Sequence, residues 1–153
     1  GPRVVEFNAR FGDPETQVVL PLLRSSLLVP MLAIARGESI AGATLEWDPG
    51  AAATTVLASG GYPDDYPTGV PIHIPPEVER MEDVVLFHAG TRTTEEGALV
   101  TSGGRVLAVT ALAPTVAEAA ERSRAAAERI RYEGRHFRRD IGWREVARGG
   151  SGA

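Results

Sequence analysis

The sequence predicts an α+β chain in two parts. A strand and two helices occupy residues 1–40, and a small, mainly antiparallel sheet module with one long helix occupies residues 44–149, ahead of a flexible tail at 150–153. Three observations predict it. Polar and apolar residues alternate from Val5 to Arg10, the period-2 pattern of a strand. Between Ala53 and Leu112, short strand candidates are separated by glycine- and proline-rich turns. One alanine-rich helical stretch then follows Thr115-Val116-Ala117-Glu118.

The first strand spans residues 3–9, with Val5, Phe7 and Ala9 facing a core and Glu6, Asn8 and Arg10 facing the other way. Gly12 releases the backbone. Asp13 is placed to cap a helix with Pro14 at its first position, and Val18, Val19, Leu22 and Leu23 follow. Pro21 removes an intrahelical hydrogen bond and predicts a break. A second helix starts at Ser25 or Ser26, carries Pro30 in or near its first turn and ends near Gly37. Residues 37–49 read as a connector.

Strands are then predicted at 53–58, 71–74, 84–88, 98–101 and 105–112. Gly103-Gly104 fits a tight hairpin between the last two, because paired glycines tolerate positive φ. The 105–112 strand is apolar on both faces and should be central. Thr115 and Glu118 form a capping-box pattern, and the helix they open runs to about Arg131. Val116, Ala120, Ala127 and Ile130 are its predicted inward positions. Glu118–Arg122 and Arg124–Glu128 have the i,i+4 spacing of exposed ion pairs.

Composition narrows the function. A chain of 153 residues suffices for one sizeable core. The net charge of −4 gives no support for nucleic-acid binding, and 16 basic residues, all arginine, are spread along the chain. There is no cysteine, which excludes disulfides and thiolate metal sites. No apolar run approaches the roughly 20 residues of a membrane-spanning helix.

The Glu6–Asn8–Arg10 row has two readings. Glu6 and Asn8 offer hard oxygen donors of the kind magnesium takes alongside phosphates and water. Arg10 offers a fork suited to a carboxylate or phosphate. The plainer reading is the solvated face of an amphipathic strand.

The run Glu6-Phe7-Asn8-Ala9-Arg10-Phe11-Gly12-Asp13-Pro14-Glu15-Thr16-Gln17 closely resembles the signature of the phosphoribosylamine–glycine ligases (glycinamide ribonucleotide synthetases) of the ATP-grasp superfamily. The resemblance continues in family order through Ala58–Pro63, Val85–Thr91, Thr101–Leu107 and Arg139–Gly142, and covers nearly the whole chain. It implies that residues 1–40 are the C-terminal end of an ATP-grasp domain and 44–149 the C-terminal domain of the ligase. The family's ATP-contacting lysines would lie upstream, and this chain contains no lysine. The expectation is therefore a C-terminal portion, inactive in isolation. The competing expectation is a non-catalytic binding or interaction module derived from the enzyme. A third is an ATP-grasp ligase for another acid or amine, against which the Gly12-Asp13-Pro14-Glu15 motif argues by resemblance.

By resemblance, the complete enzyme uses ATP to join glycine to phosphoribosylamine through a glycyl phosphate, in purine biosynthesis. The resemblance makes Glu6 and Asn8 ligands of Mg2+ (or Mn2+), with ATP as co-substrate, and makes Arg10 and Asp13 substrate-binding residues. It implies a cytoplasmic enzyme; a monomer is expected when complete, and charge and hydropathy give the expectation of no nucleic-acid or membrane partner. No covalent nucleophile is required, since positioning and electrostatics carry such a reaction. Rival readings stand beside these. Asp13 serves equally as a helix cap, and the Gly60-Gly61 and Gly103-Gly104 pairs serve turns rather than phosphates. His88 sits at a strand end without metal-ligand spacing to His73 or His136. Arg138, Arg139 and Asp140 form a solvated or interdomain charge cluster.

Overall fold

The computed structural model describes residues 2–5, 7 and 10–149. Its centre is an antiparallel sheet of β1 (Ala51–Ala58), β2 (Val84–His88) and β5 (Arg105–Ala113), in the order β1-β5-β2. Val109 of β5 stands between Thr55 of β1 and Leu86 of β2. The middle position follows from composition. Val106, Leu107, Ala108, Val109 and Ala111 are all buried, so both faces of β5 are covered, as its two-sided apolar run predicts. Two short strands, β3 (Thr91–Thr93) and β4 (Leu99–Thr101), pair separately.

One sheet face is covered by α4 (Val116–Arg129). Leu57, Val106, Leu107, Val109, Ala126, Ala127 and Ile130 form the main core with it. The small α4 residues let the helix lie close to the sheet, and Ser123 hydrogen-bonds both Thr55 (2.7 Å) and the carbonyl of Val109 (2.8 Å). Ala127 and Ile130 point inward as predicted. Val116 and Ala120 are only half-buried, while Ala119, Ser123 and Ala126 take the deeper positions. Both predicted i,i+4 pairs give way to longer-range partners. Arg122 pairs with Asp83 at 3.1 Å and donates to the carbonyl of Leu112, and Glu128 pairs with Arg139. Arg135 closes the other end of α4 by donating to the carbonyls of Ala127, Glu128 and Ile130.

Thr115 caps α4, its hydroxyl accepting from the amide of Glu118 at 3.2 Å. The Glu118 carboxylate accepts from the Thr115 hydroxyl, rather than from its backbone amide as a full capping box would have it. Thr115→Ala is expected to destabilise the chain by about 1 kcal/mol, measured by urea denaturation with an unchanged m-value.

Two sheet expectations are corrected. Residues 71–74 form no strand. Pro71 and His73 make isolated bridges to Val100 and Arg131, because two prolines beyond them and one at 71 remove ladder donors. Gly103-Gly104 is not a hairpin turn either, since β4 pairs with β3 and not with β5. These glycines serve close approach. A Cβ on Gly104 would lie 2.2 Å from the Tyr62 ring, and the Cα of Gly90 lies 3.1 Å from where a Cβ on Gly103 would stand.

The opposite sheet face receives residues 13–23. Here α1 (Thr16–Val19) runs into a 3-10 turn (Leu20–Leu22) that carries Pro21, the break the sequence predicts. Next, α2 (Leu28–Ala35) holds Pro30 in its first turn. It ends in a left-handed Gly37 (φ 72°), with Gly37 N–H bonded to Ile34 O and Glu38 N–H to Ala33 O, a Schellman closure. The remaining short helices are α3 (Pro76–Glu79) and α5 (Trp143–Gly149).

The strand predicted at residues 3–9 does not form among the described positions. Residues 2–5 and 7 lack regular structure, and Val5 and Phe7 are 96% and 89% exposed instead of packed on a core. Alternation alone does not make a strand. A ladder partner is required, and no described strand pairs with this segment.

Candidate functional site

The Gly12–Gln17 motif folds as a compact turn seated on the sheet. Gly12 donates its amide to Glu15 Oε1 at 3.1 Å, and Thr16 bonds back to the Gly12 carbonyl through both its amide and its hydroxyl. Gly12 is buried, and a Cβ there would lie 2.6 Å from the Glu15 carboxyl group. A side chain there would displace the Glu15 carboxylate from its bond to the Gly12 amide.

Asp13 is not the helix cap. The residue preceding α1 is Glu15, which makes no side-chain cap bond. The Asp13 carboxylate is engaged elsewhere. Oδ1 accepts from Gln17 Nε2 at 2.7 Å, and Oδ2 lies 3.2 Å from Arg105 Nη2. Arg105 Nη1 also donates to the Asp13 carbonyl at 3.2 Å. One guanidinium therefore grips both the side chain and the backbone of Asp13.

A second anchor lies further along β5, at Thr110. The Thr110 hydroxyl donates to the backbone carbonyl of Gln17 at 2.8 Å and lies 2.9 Å from the Thr54 hydroxyl. Thr54 and Thr110 face each other across β1 and β5, and the Thr54 hydroxyl in turn donates to the Val109 carbonyl at 3.3 Å. Among the described residues, Gln17 Oε1 is buried without a hydrogen-bond partner. Side chains of Asp13 and Arg105 are 40% and 42% exposed, so the ion pair stays open to solvent on one side. A carboxylate held in this way can accept from an ammonium or amine donor.

Arg10 turns its guanidinium back onto the Phe11 carbonyl at 2.7 Å and is exposed. Glu6 and Asn8 lie outside the described residues. Their donor chemistry, a carboxylate and a carboxamide oxygen two residues apart, suits a hard divalent cation that retains water and phosphate ligands. Among the described residues, no group of three or more His, Asp or Glu side chains gathers as a metal site.

The other candidates stay apart from this cluster. At the end of β2, His88 is exposed and shares a 3.1 Å bond with the Thr91 hydroxyl. Asp140 is held by the Arg138 fork at 2.9 and 2.7 Å, which keeps its carboxyl below the ordinary range. Burial pushes the Tyr132 hydroxyl well above the usual phenol range, and this group donates to the Ala58 carbonyl. Sequence reasoning missed Arg105, Gln17 and Thr110. The one available signal was a charged residue opening an otherwise apolar strand.

A further surface feature is apolar. Phe11, Leu27, Pro30, Met31, Ile34 and Leu45 line a groove of about 400 Å3 beside α2. No described residue of α2 is buried.

Comparison with known proteins places this geometry. The family model for the phosphoribosylglycinamide synthetase C domain matches residues 52–144. Phosphoribosylamine–glycine ligase of Chlorobaculum tepidum is 55% identical over 141 residues, covering 92% of this chain and 33% of that protein. The Escherichia coli K12 ligase is 46% identical over 147 residues, covering 96% of this chain and 34% of that protein. The crystal structure of phosphoribosylamine–glycine ligase from Thermotoga maritima superposes with a TM-score of 0.76 at 36% identity, covering 91% of this chain and 33% of that one. The chain thus spans about a third of the length of the curated relatives it matches. With a sheet, a long capped helix and a matched span covering most of its length, the chain belongs to the phosphoribosylglycinamide synthetase C-domain family.

Proposed function

We propose that this chain is the C-terminal part of a phosphoribosylamine–glycine ligase. In the complete enzyme a glycine carboxylate oxygen attacks the γ-phosphorus of ATP, giving glycyl phosphate and ADP. The amine of 5-phosphoribosylamine then attacks the acyl carbon and phosphate leaves, giving glycinamide ribonucleotide. The observation that carries this reading is the match of residues 52–144 to the family's C domain, continued upstream by the Glu6–Gln17 run. On this reading residues 1–40 complete an ATP-grasp domain, 44–149 form the C-terminal domain and 150–153 are a tail.

Glu6 and Asn8 would hold Mg2+ or Mn2+, which when bound neutralises charge on phosphate oxygens. Arg10 binds an anionic group of a substrate through its guanidinium fork. Asp13, held by Arg105 and Gln17, offers its remaining acceptor capacity to a substrate nitrogen. ATP is the co-substrate, and a monomer in the cytoplasm is the setting this family reading supports. No described helix is long and apolar enough to cross a membrane.

The test is direct. The full-length gene product containing this chain, supplied with ATP, magnesium, glycine and freshly generated phosphoribosylamine, is expected to form glycinamide ribonucleotide and ADP in equal amounts, while the chain alone forms neither. ADP release that does not depend on glycine would overturn the assignment.

A further inference from the structure

The geometry points to Arg105 as a positioning residue that holds the Asp13 carboxylate in its substrate-binding orientation. The C-terminal sheet thereby sets the affinity of the proposed ligase site. This inference rests on the reading of Asp13 as a substrate-binding residue. Arg105 opens β5, the central strand, whose following residues are buried. Its Cα is therefore fixed by the best-packed part of the molecule. Asp13, by contrast, lies in a loop, and its contacts to that strand are the two arms of one guanidinium.

The two arms do different work. Nη1 reaches the Asp13 backbone carbonyl and fixes where the residue sits. Nη2 reaches Oδ2 and, with Gln17 Nε2 on Oδ1, fixes how the carboxylate is turned. Gln17 is itself tied to the same strand through Thr110. A carboxylate with one donor on each oxygen keeps an acceptor site on each, and the two donors fix the plane in which a substrate donor meets them. The exposed ion pair contributes little to stability. Its contribution is orientation, so the consequence of losing it is read in substrate affinity.

Steady-state kinetics of Asp13→Asn, Arg105→Ala, Arg105→Lys and the Asp13→Asn/Arg105→Ala double variant test this in the complete enzyme, with KM measured separately for glycine and for phosphoribosylamine. Asp13→Asn identifies which KM belongs to Asp13. Arg105→Ala is expected to raise that same KM about tenfold, with kcat within about twofold and the other KM unmoved. Arg105→Lys recovers part of the loss, because an ammonium can meet one acceptor but lacks the fork. The double variant is expected to be no worse than the poorer single one. If Asp13→Asn raises a KM and Arg105→Ala raises neither, the positioning role is overturned while the site assignment stands. If neither variant moves either KM, the substrate-binding reading of Asp13 falls, and this inference with it.

Discussion

Glu6→Ala in the complete enzyme is expected to lower magnesium-dependent turnover on the order of a hundredfold or more, with little change in thermal stability. Magnesium bound between a protein carboxylate and phosphate oxygens depends on few protein ligands, so each one lost leaves the cation poorly placed. Val5 and Phe7 are exposed, and the described core is built from residues 57–130. Turnover measured across a magnesium titration checks this. Glu6→Gln separates charge from shape, and is expected to need more magnesium while reaching a higher plateau than Glu6→Ala. Wild-type turnover by Glu6→Ala at saturating magnesium would remove Glu6 from the metal role.

Gly61→Ala is expected to destabilise the chain by about 2–5 kcal/mol. Gly61 has φ of 97°, a region costly for a residue with a Cβ, and that Cβ would lie 2.1 Å from the carbonyl oxygen of Asp65. The colliding atom is backbone and is not free to rotate away. The turn is also internally bonded, Tyr62 N–H to Ser59 O and Asp64 N–H to Gly61 O, so relief of the clash breaks other bonds. Gly97→Ala provides the comparison. Its φ of 85° is similar, but open space surrounds the added methyl group, so its loss isolates the conformational part. Melting curves of the two variants should differ by several degrees, at roughly 2–4 °C per kcal/mol for a chain of this size. Equal melting temperatures would show that the Gly61 turn yields without resistance.

Much of the architecture was legible because local chemistry and global packing agree. The two-sided apolar run at 105–112 becomes the central strand, Pro21 breaks its helix and Gly37 closes the next. Thr115 starts α4 where its hydroxyl can satisfy an orphan amide. The failures share a cause. Residues 71–74 and, among the described positions, 3–5 and 7 have strand-like composition, yet strand formation depends on a partner elsewhere in the chain. Gly103-Gly104 carries a hairpin signature, but its glycines answer to Tyr62 and Gly90, which are remote in sequence.

The site divides along the same line. Residue type and order alone marked the Glu6–Gln17 run as chemically informative, and by resemblance assigned oxygen ligands at Glu6 and Asn8 and substrate contacts at Arg10 and Asp13. What tertiary structure decided is that Asp13 leaves its helix-capping role to meet Arg105, 92 residues away, and that Thr110 anchors Gln17 across 93. Capping and turn chemistry act over three or four neighbouring residues and can be read along the chain. An ion pair between a loop and a central strand exists only once the sheet has brought the two together, because nothing in the spacing of the residues encodes that approach.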